Sequence, residues 1–337
     1  MSNRLTNTAA ETSRAFDKAW RSAAEQVAAK NLRGLTTKCP VCGCTGLVFS
    51  KWIKGATQKP LYLCHPTRAG SLKTCELDKQ QSKQVKDSVT IARDDIRKLL
   101  RMGRAFVLFS GGKDSLCLLE YMRRLAAGDG KEISAIHANT TAGFPEVETY
   151  VQCVCKKLGV ALHTVRPERD FFETAKRWGI PGPRSRWCCE TLKVAPIRRF
   201  LGGIEGPKII FDGIRAAEST MRSTYTPVWY HPSFRCISVS PIFYWSDKKV
   251  AEYITKQGLP RSPAAELNMS AECWCGAYQG REDFESLLRI HPEIFDKLAD
   301  VERAQKGEYT FIYHNGKRIT LEEIRANAVE NGNQIDG

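Results

Sequence analysis

Short apolar runs alternate with amphipathic stretches through the middle of this chain. Five runs read as buried strands, at residues 106–109, 133–137, 162–165, 209–213 and 237–240. Apolar positions recur at helical spacing over 116–125, 147–158, 171–178, 194–200 and 247–256. Runs that are apolar throughout suit strands covered on both faces. Alternating strands and helices at this spacing predict an α/β fold, a doubly wound, mostly parallel sheet. Ligands of such sheets sit beyond the C-terminal strand ends. Residues 179–186 and 232–236 read as loops. Upstream, Phe16, Trp20, Ala23 and Val27 form one stripe of a helix over 8–30, and Ile91, Ile96, Leu99 and Leu100 one face of a helix over 87–102. Residues 47–53 and 61–63 read as extended. Downstream come a helix over 282–302, a hairpin turning at Asn315-Gly316, and a helix capped from Thr320 by Thr-Leu-Glu-Glu.

The first strand ends in a charged glycine turn, Ser110-Gly111-Gly112-Lys113-Asp114-Ser115, and a helical pattern follows at once. Strand, tight turn and helix N-terminus together make an anion site from backbone N–H groups and the helix dipole. Gly111 and Gly112 let the backbone approach a phosphate. Lys113 adds a fixed charge, and Ser110 and Ser115 offer hydroxyls. The run is too short for a Walker loop, which needs a longer glycine-bracketed turn. His137 ends the second strand beside Asn139-Thr140-Thr141, where it meets a nucleotide or serves as a hydrogen-bonded structural histidine. After the fourth strand, Gly213, Arg215, Glu218 and Arg222 form a further group. Arg215 and Arg222 have the charge to neutralise phosphate or sulfate oxygens, and Glu218 can orient an arginine.

Thirteen cysteines in 337 residues change the picture. Their adjacent pairs fit reduced thiols and metal sites better than a disulfide framework. Cys39-Pro-Val-Cys42-Gly is a glycine-backed knuckle that places two soft ligands on one side of a zinc ion. Cys64 and Cys75 complete the preferred set, with Cys44 and His65 in reserve. Cys188-Cys189 and Cys273-Trp274-Cys275 supply four more thiols, the number that an iron–sulfur cluster or a zinc ion needs. Cys188 and Cys189, beside basic residues at a helix start, are expected to have depressed pKa values.

Charge is uneven. The first 105 residues hold 20 Lys and Arg against 8 Asp and Glu, so +12 of the net +14 lies in the first third. That is either a solvated surface or the footprint of a polyanion. Around the zinc knuckle, Lys38, Lys51, Lys54, Lys59, Arg68 and Lys73 interleave with Phe49, Trp52 and Tyr62, a mixture suited to phosphates and bases. No apolar run approaches the ~20 residues of a membrane span. Residues 1–10 are polar, so no signal peptide is visible and a cytoplasmic location is expected. The expected segments are a helix (1–35), a zinc-ribbon-like module (36–78), a linker and helix (79–104), a PP-loop domain (105–280) and a C-terminal extension (281–337).

The Ser110–Ser115 run resembles the PP-loop of ATP pyrophosphatases. From Phe106 to Glu293 the motif order is similar to the PAPS reductase family of adenine nucleotide α-hydrolases. It runs through Asn139-Thr140-Thr141 with Phe144-Pro145-Glu146, Cys188-Cys189 with Leu192-Lys193 and Pro196, Gly213-Ile214-Arg215 with Glu218-Ser219 and Arg222, Ser240-Pro241-Ile242 with Trp245, and a cysteine pair. The resemblance implies ATP on Ser110 to Ser115, His137, Thr140, Gly213 and Glu218, with Lys113, Asp114, Arg215 and Arg222 in catalysis. Mg2+ would bridge the phosphates, contacting Asp114 directly or through water. It also implies a four-iron, four-sulfur cluster on Cys188, Cys189, Cys273 and Cys275. The family's later pair is usually CxxC, whereas this chain has CxC. Sulfonucleotide reductases of the family usually have a degraded PP-loop and a nucleophilic C-terminal cysteine. Here the loop is intact and no cysteine follows Cys275. The likeness is therefore to the ATP-using branch, with Dnd-type phosphorothioation enzymes and cluster-dependent tRNA thiolases. It implies DNA or tRNA as partner, a cysteine desulfurase as sulfur donor, and allows a homodimer. A sulfonucleotide reductase and a nucleic-acid-binding protein with an inactive loop are the rival expectations.

Overall fold

The computed structural model describes residues 36–50 except 44, 61–66, 72–82 except 79, and 91–333 except 92, 184, 224, 232, 266–272, 307 and 315–316. The helix expected over 8–30, the linker beyond Ser82, Cys44, Lys51, Trp52, Lys54, Lys59, Arg68 and the Asn315-Gly316 turn lie outside the described residues. So do the side chains of Phe49, Tyr62, Cys64 and His65. No helix of the described chain is long and apolar enough to cross a membrane.

Residues 36–77 form a four-stranded antiparallel sheet: β1 (Thr36–Lys38), β2 (Thr45–Ser50), β3 (Leu61–Pro66) and β4 (Leu72–Leu77), in that order. Helix α1 (Arg93–Leu100) follows, with Ile96, Leu99 and Leu100 buried as the apolar stripe requires.

A six-stranded sheet then runs in the order β7-β6-β5-β8-β10-β9. Its members are β5 (Arg104–Leu108), β6 (Ser134–Ala138), β7 (Ala161–Val165), β8 (Lys208–Phe211), β9 (Val228–His231) and β10 (Cys236–Val239). The intervening helices are α2 (Lys113–Ala127), α3 (Pro145–Leu158), α4 (Phe171–Trp178) and α5 (Ala195–Gly202); α6 (Asp247–Gln257) follows β10. β5 pairs in parallel with β8, and β8 with β10. From β5 the chain runs outward through β6 and β7, then returns to β8 on β5's other side. The order therefore reverses between β5 and β8, and the crevice beyond their C-terminal ends is where ligands of such sheets bind. The mostly parallel α/β sheet is the expected fold class. β9 was not expected. It lies antiparallel on β10 at the sheet edge, and its four residues, preceded by Pro227 and followed by Pro232, carry no length signal of their own.

The expected helix over 282–302 is instead two helices, α7 (Arg281–Ile290) and α8 (Pro292–Ala304). Pro292 cannot donate a backbone hydrogen bond and pushes His291 out of the helical region, to φ −134 and ψ 65. Then come β11 (Ile312–His314), β12 (Lys317–Ile319) and α9 (Leu321–Asn333). The Thr320 cap is present: Glu323 N donates to Thr320 Oγ1 at 3.1 Å and Thr320 N to Glu323 Oε2 at 2.7 Å.

The described chain packs as two compact units. One takes its residues from Met1–Leu108, Asp114–Ala135 and Leu201–Gly258, the other from Phe109–Lys113, Ile136–Phe200 and Leu259–Gly337. In the second, the buried Glu302 carboxylate accepts from Phe311 N at 3.0 Å and Leu321 N at 2.6 Å, tying α8 to the hairpin and α9. Glu302→Ala strands two buried N–H groups and is expected to cost roughly 2–5 kcal/mol, read as a fall in thermal midpoint. Burial also holds this carboxyl above its ordinary range. Its folded value exceeds its unfolded one, so its contribution is full at low pH and declines as pH rises through the raised value.

Candidate nucleotide and cysteine sites

β5 delivers the chain directly into the glycine turn, and α2 begins at Lys113. Gly111 has φ +95, and a Cβ there would lie 2.8 Å from Val147 Cγ1 and 3.2 Å from Val151 Cγ2. Conformation and space both demand glycine. Gly112 N donates to Ser110 Oγ at 3.3 Å, which holds the turn closed. Lys113 is exposed at the first helical position, among the N–H groups that an α-helix leaves without internal acceptors. His137 is buried, and its Nδ1 donates to Phe109 O at 2.9 Å. Thr140 Oγ1 accepts from Ala142 N at 3.4 Å, and Thr141 sits at φ 58 beside it.

The loop after β8 meets the start of α2. A Cβ on Gly213 would lie 3.1 Å from Ser115 N and 3.2 Å from Asp114 C, against backbone that cannot yield. Arg215 is 1% exposed and fully engaged. Its Nε donates to Asp114 Oδ1 at 2.8 Å, Nη2 to Asp114 Oδ2 at 3.3 Å and to Asp247 Oδ1 at 2.8 Å, and Nη1 to Trp245 O at 3.0 Å. The expected contact of Arg215 with phosphate oxygens is thus not what this arrangement presents. The guanidinium's donors hold the first turn of α2 and the first residue of α6, and its side chain is out of reach of solvent. Glu218 pairs with Arg222 and accepts from Arg215 N at 2.8 Å.

Asp212 was not anticipated. It is buried and accepts from Ser238 Oγ at 2.7 Å, Ser240 Oγ at 2.5 Å and Ile214 N at 3.2 Å. Burial raises its pKa against these donors. The spacing of Ser238 and Ser240, two residues apart and so on one strand face, was the available signal.

In the second unit four cysteines converge. Cys188 Sγ lies 3.6 Å from Cys275 Sγ, which is 3.7 Å from Cys273 Sγ. Cys189 opens a π-helical turn, Cys189–Val194, a distortion often found at functional sites. The thiols do not share one acidity. A hydrogen bond from Cys188, aided by the Lys193 charge, lowers Cys189 to about 7. The shared hydrogen bond with Cys189, with burial, pushes Cys188 up to about 12. Hydrogen bonding to Cys188 and burial lift Cys275 to about 11. The expectation that both adjacent thiols are depressed holds for Cys189 alone, because Cys188 is buried among sulfurs.

Aromatic rings carry the cysteine segment. Trp274 is buried, donating from N to Ala142 O at 2.9 Å and from Nε1 to Gly143 O at 3.1 Å. Phe172 stacks on it at 5.2 Å and Phe171 meets it edge-on at 5.2 Å. Gln279 Nε2 donates to Cys273 O at 2.8 Å. Gly276, at φ +85, faces Phe311 so closely that a Cβ would lie 2.2 Å from that ring. Gln279 and Phe311 therefore buttress the CxC segment, which no local motif announced.

At the N-terminal knuckle, the sulfurs of Cys39, Cys42 and Cys75 all lie within 4.8 Å of one another. Gly43, at φ 73, closes the turn by donating to Cys39 O at 2.7 Å. Burial and the two neighbouring thiols push Cys75 up to about 12, crowding that a thiophilic cation relieves. Register pairs Leu63 with Cys75 and Cys64 with Thr74, so Cys64 and Cys75 occupy positions on opposite faces of the sheet, and the expected partnership of Cys64 with Cys75 is not what the register gives.

A strand, glycine turn and helix at the switch point of a mostly parallel sheet define a nucleotide-binding α/β domain. Residues 104–266 match the model of the phosphoadenosine phosphosulfate reductase domain family. The chain is 30% identical over 200 residues to MJ0066 of Methanocaldococcus jannaschii, covering 58% of this chain and 41% of that protein. It is 29% identical over 164 residues to an adenosine 5'-phosphosulfate reductase of Rhodococcus opacus, covering 48% and 63%. The chain spans less than two thirds of the length of these relatives. Among solved structures it is similar to the phosphoadenylyl-sulfate reductase of Candida auris, at a TM-score of 0.43 and 18% identity over 59% of this chain and 97% of that one.

Proposed function

We propose that this chain cleaves ATP to AMP and pyrophosphate, adenylating an oxygen of a nucleic acid so that sulfur can displace AMP. The observation that carries this reading is the complete turn from Ser110 to Ser115, with Gly111 fixed by conformation and space and Lys113 exposed at a helix start. The target oxygen attacks the α-phosphorus, the bond to the bridging oxygen breaks and pyrophosphate leaves. A sulfur nucleophile then displaces AMP from the activated atom. Backbone N–H groups and Lys113 neutralise the departing charge. Arg215 acts through Asp114 as a positioning residue, and Arg222, paired with Glu218, would add positive charge against the phosphates. Asp114 would hold magnesium directly or through water, where the ion would supply charge neutralisation at the phosphates.

Cys188, Cys189, Cys273 and Cys275, an all-sulfur donor set, would hold the four-iron, four-sulfur cluster. Such a group supplies electrons or a binding point for sulfur. Cys39, Cys42 and Cys75 would hold zinc. The basic first third supports DNA or tRNA as the target; a cysteine desulfurase as the sulfur source and a cytoplasmic setting belong to the same proposal.

Gly213→Val tests the loop contact. Its branched side chain displaces the start of α2, and a misplacement of about 1 Å costs on the order of 100-fold in rate. AMP formation should fall that far; the thermal midpoint should fall as well, since overpacking against backbone costs about 1–3 kcal/mol, while cysteine-site absorbance stays near wild type.

A second reading is favoured by the relatives named adenosine 5'-phosphosulfate reductases. The two part on products. Pyrophosphate and AMP from ATP support the first reading. Sulfite from adenosine 5'-phosphosulfate, without ATP turnover, supports the second.

A further inference from the structure

Beside the cysteines the second unit presents aromatic rings to solvent. Trp178 is 53% exposed and Tyr278 58% exposed. Both are tied to the segment that enters the cysteine pair. Trp178 meets Trp187 edge-on at 5.8 Å, and the Arg186 guanidinium lies over the Tyr278 ring at 5.6 Å. Trp187 immediately precedes Cys188 and stacks on Phe171 at 5.6 Å, and Phe171 in turn meets Trp274, the residue between Cys273 and Cys275. Trp178 is thus the outer end of one aromatic series whose inner end lies among the thiols, and Tyr278 joins the same segment through Arg186. Exposing a large ring forfeits hydrophobic stabilisation, so rings held out rigidly by packed neighbours suit a partner that stacks.

The charge around them selects the partner. Lys176, Arg177, Arg186 and Lys193 are exposed on the same stretch. Its acidic groups are engaged elsewhere: Asp170 and Glu173 cap α4, and Glu190 pairs with Arg198. Cations interleaved with rigid exposed rings are the composition that grips an unpaired nucleobase and its phosphates. A docking protein would want apolar area without this excess of cations.

We propose that Trp178 and Tyr278, with Arg186, form a stacking platform for an unpaired base of single-stranded or locally opened nucleic acid beside the cysteine site. The proposal rests on the nucleic-acid reading above and adds where the base is held. A base can be reached by reagents at the thiols only once it leaves its duplex stack, and the platform supplies the replacement stack.

The test uses the full chain, purified without oxygen, and 5-bromouracil-containing DNA and RNA strands, alone and paired with their complements. After irradiation, crosslinked peptides should contain Trp178 or Tyr278, and the DNA and RNA arms identify the strand preferred. The double variant Trp178→Ala, Tyr278→Ala should bind single strands about 5- to 150-fold more weakly per base lost. The double Phe variant should restore binding. Tyr313→Ala, at a ring equally exposed in the same unit but on β11, should change nothing. Retained cysteine-site absorbance shows that the variants fold. Crosslinks elsewhere, with wild-type binding by the double Ala variant, overturn the platform and leave the nucleic-acid reading standing. If the wild-type chain binds no strand, the nucleic-acid reading falls and the platform with it.

Discussion

Lys113→Ala will lower AMP formation from ATP by on the order of 100-fold or more, the scale seen when one preorganised charge or donor is removed from a transition state. The ammonium stands at the first position of α2, where a helix already favours negative charge. It is exposed, so truncation removes charge without opening a cavity. The thermal midpoint should therefore hold while the rate collapses. Lys113→Arg should recover only part of the loss, because a planar fork replaces a compact point charge. Steady-state kinetics with direct quantification of AMP checks both. An unchanged rate in Lys113→Ala would remove the loop from the chemistry.

Cys188→Ala will abolish the broad visible absorbance and acid-labile sulfide expected of the main-domain cysteines, while zinc stays bound. Cys188 is buried, lies 3.6 Å from Cys275, and stands beside Cys189. Its loss leaves three thiols for a group that needs four. The Cys39, Cys42 and Cys75 set shares no residue with it. Iron, sulfide and zinc analysis of protein prepared without oxygen reads the two sets separately. Zinc without iron in the wild-type protein would refute the cluster. Loss of both metals in Cys188→Ala would show that the two sets do not act separately.

The sheet was legible because its strands carry their own signal. β5, β6, β8 and β10 are short, mainly apolar runs, while β7 at the sheet edge carries His163 and Thr164 and is only partly buried; the bounds of all five fall within two residues of those expected. β9 was not, since an edge strand of four residues is specified by its partner β10 rather than by its own pattern. The break at Pro292 was readable and overlooked: apolar spacing continues across it, but the proline removes the hydrogen bond that one long helix needs.

The sites were legible in kind and less so in detail. Ser110–Ser115 announces an anion turn because each residue type has a local reason to be there. Arg215 looked like a phosphate ligand, and only the fold reveals that Asp114 and Asp247, 101 and 32 residues away, take its donors. The opposite acidities of Cys188 and Cys189 arise first from the hydrogen bond between the two thiols, which raises one as it lowers the other, a direction that adjacency alone cannot reveal. Asp212 and the Trp187–Phe171–Trp274 series are likewise products of tertiary packing.

The bond broken in ATP tests the account most directly. The full chain, with magnesium and with DNA or tRNA, is given ATP labelled separately at the α and γ phosphates, and the products are resolved by chromatography. The account predicts label from the α position in AMP and label from the γ position in pyrophosphate, both dependent on Lys113. Recovery of ADP and inorganic phosphate would contradict it.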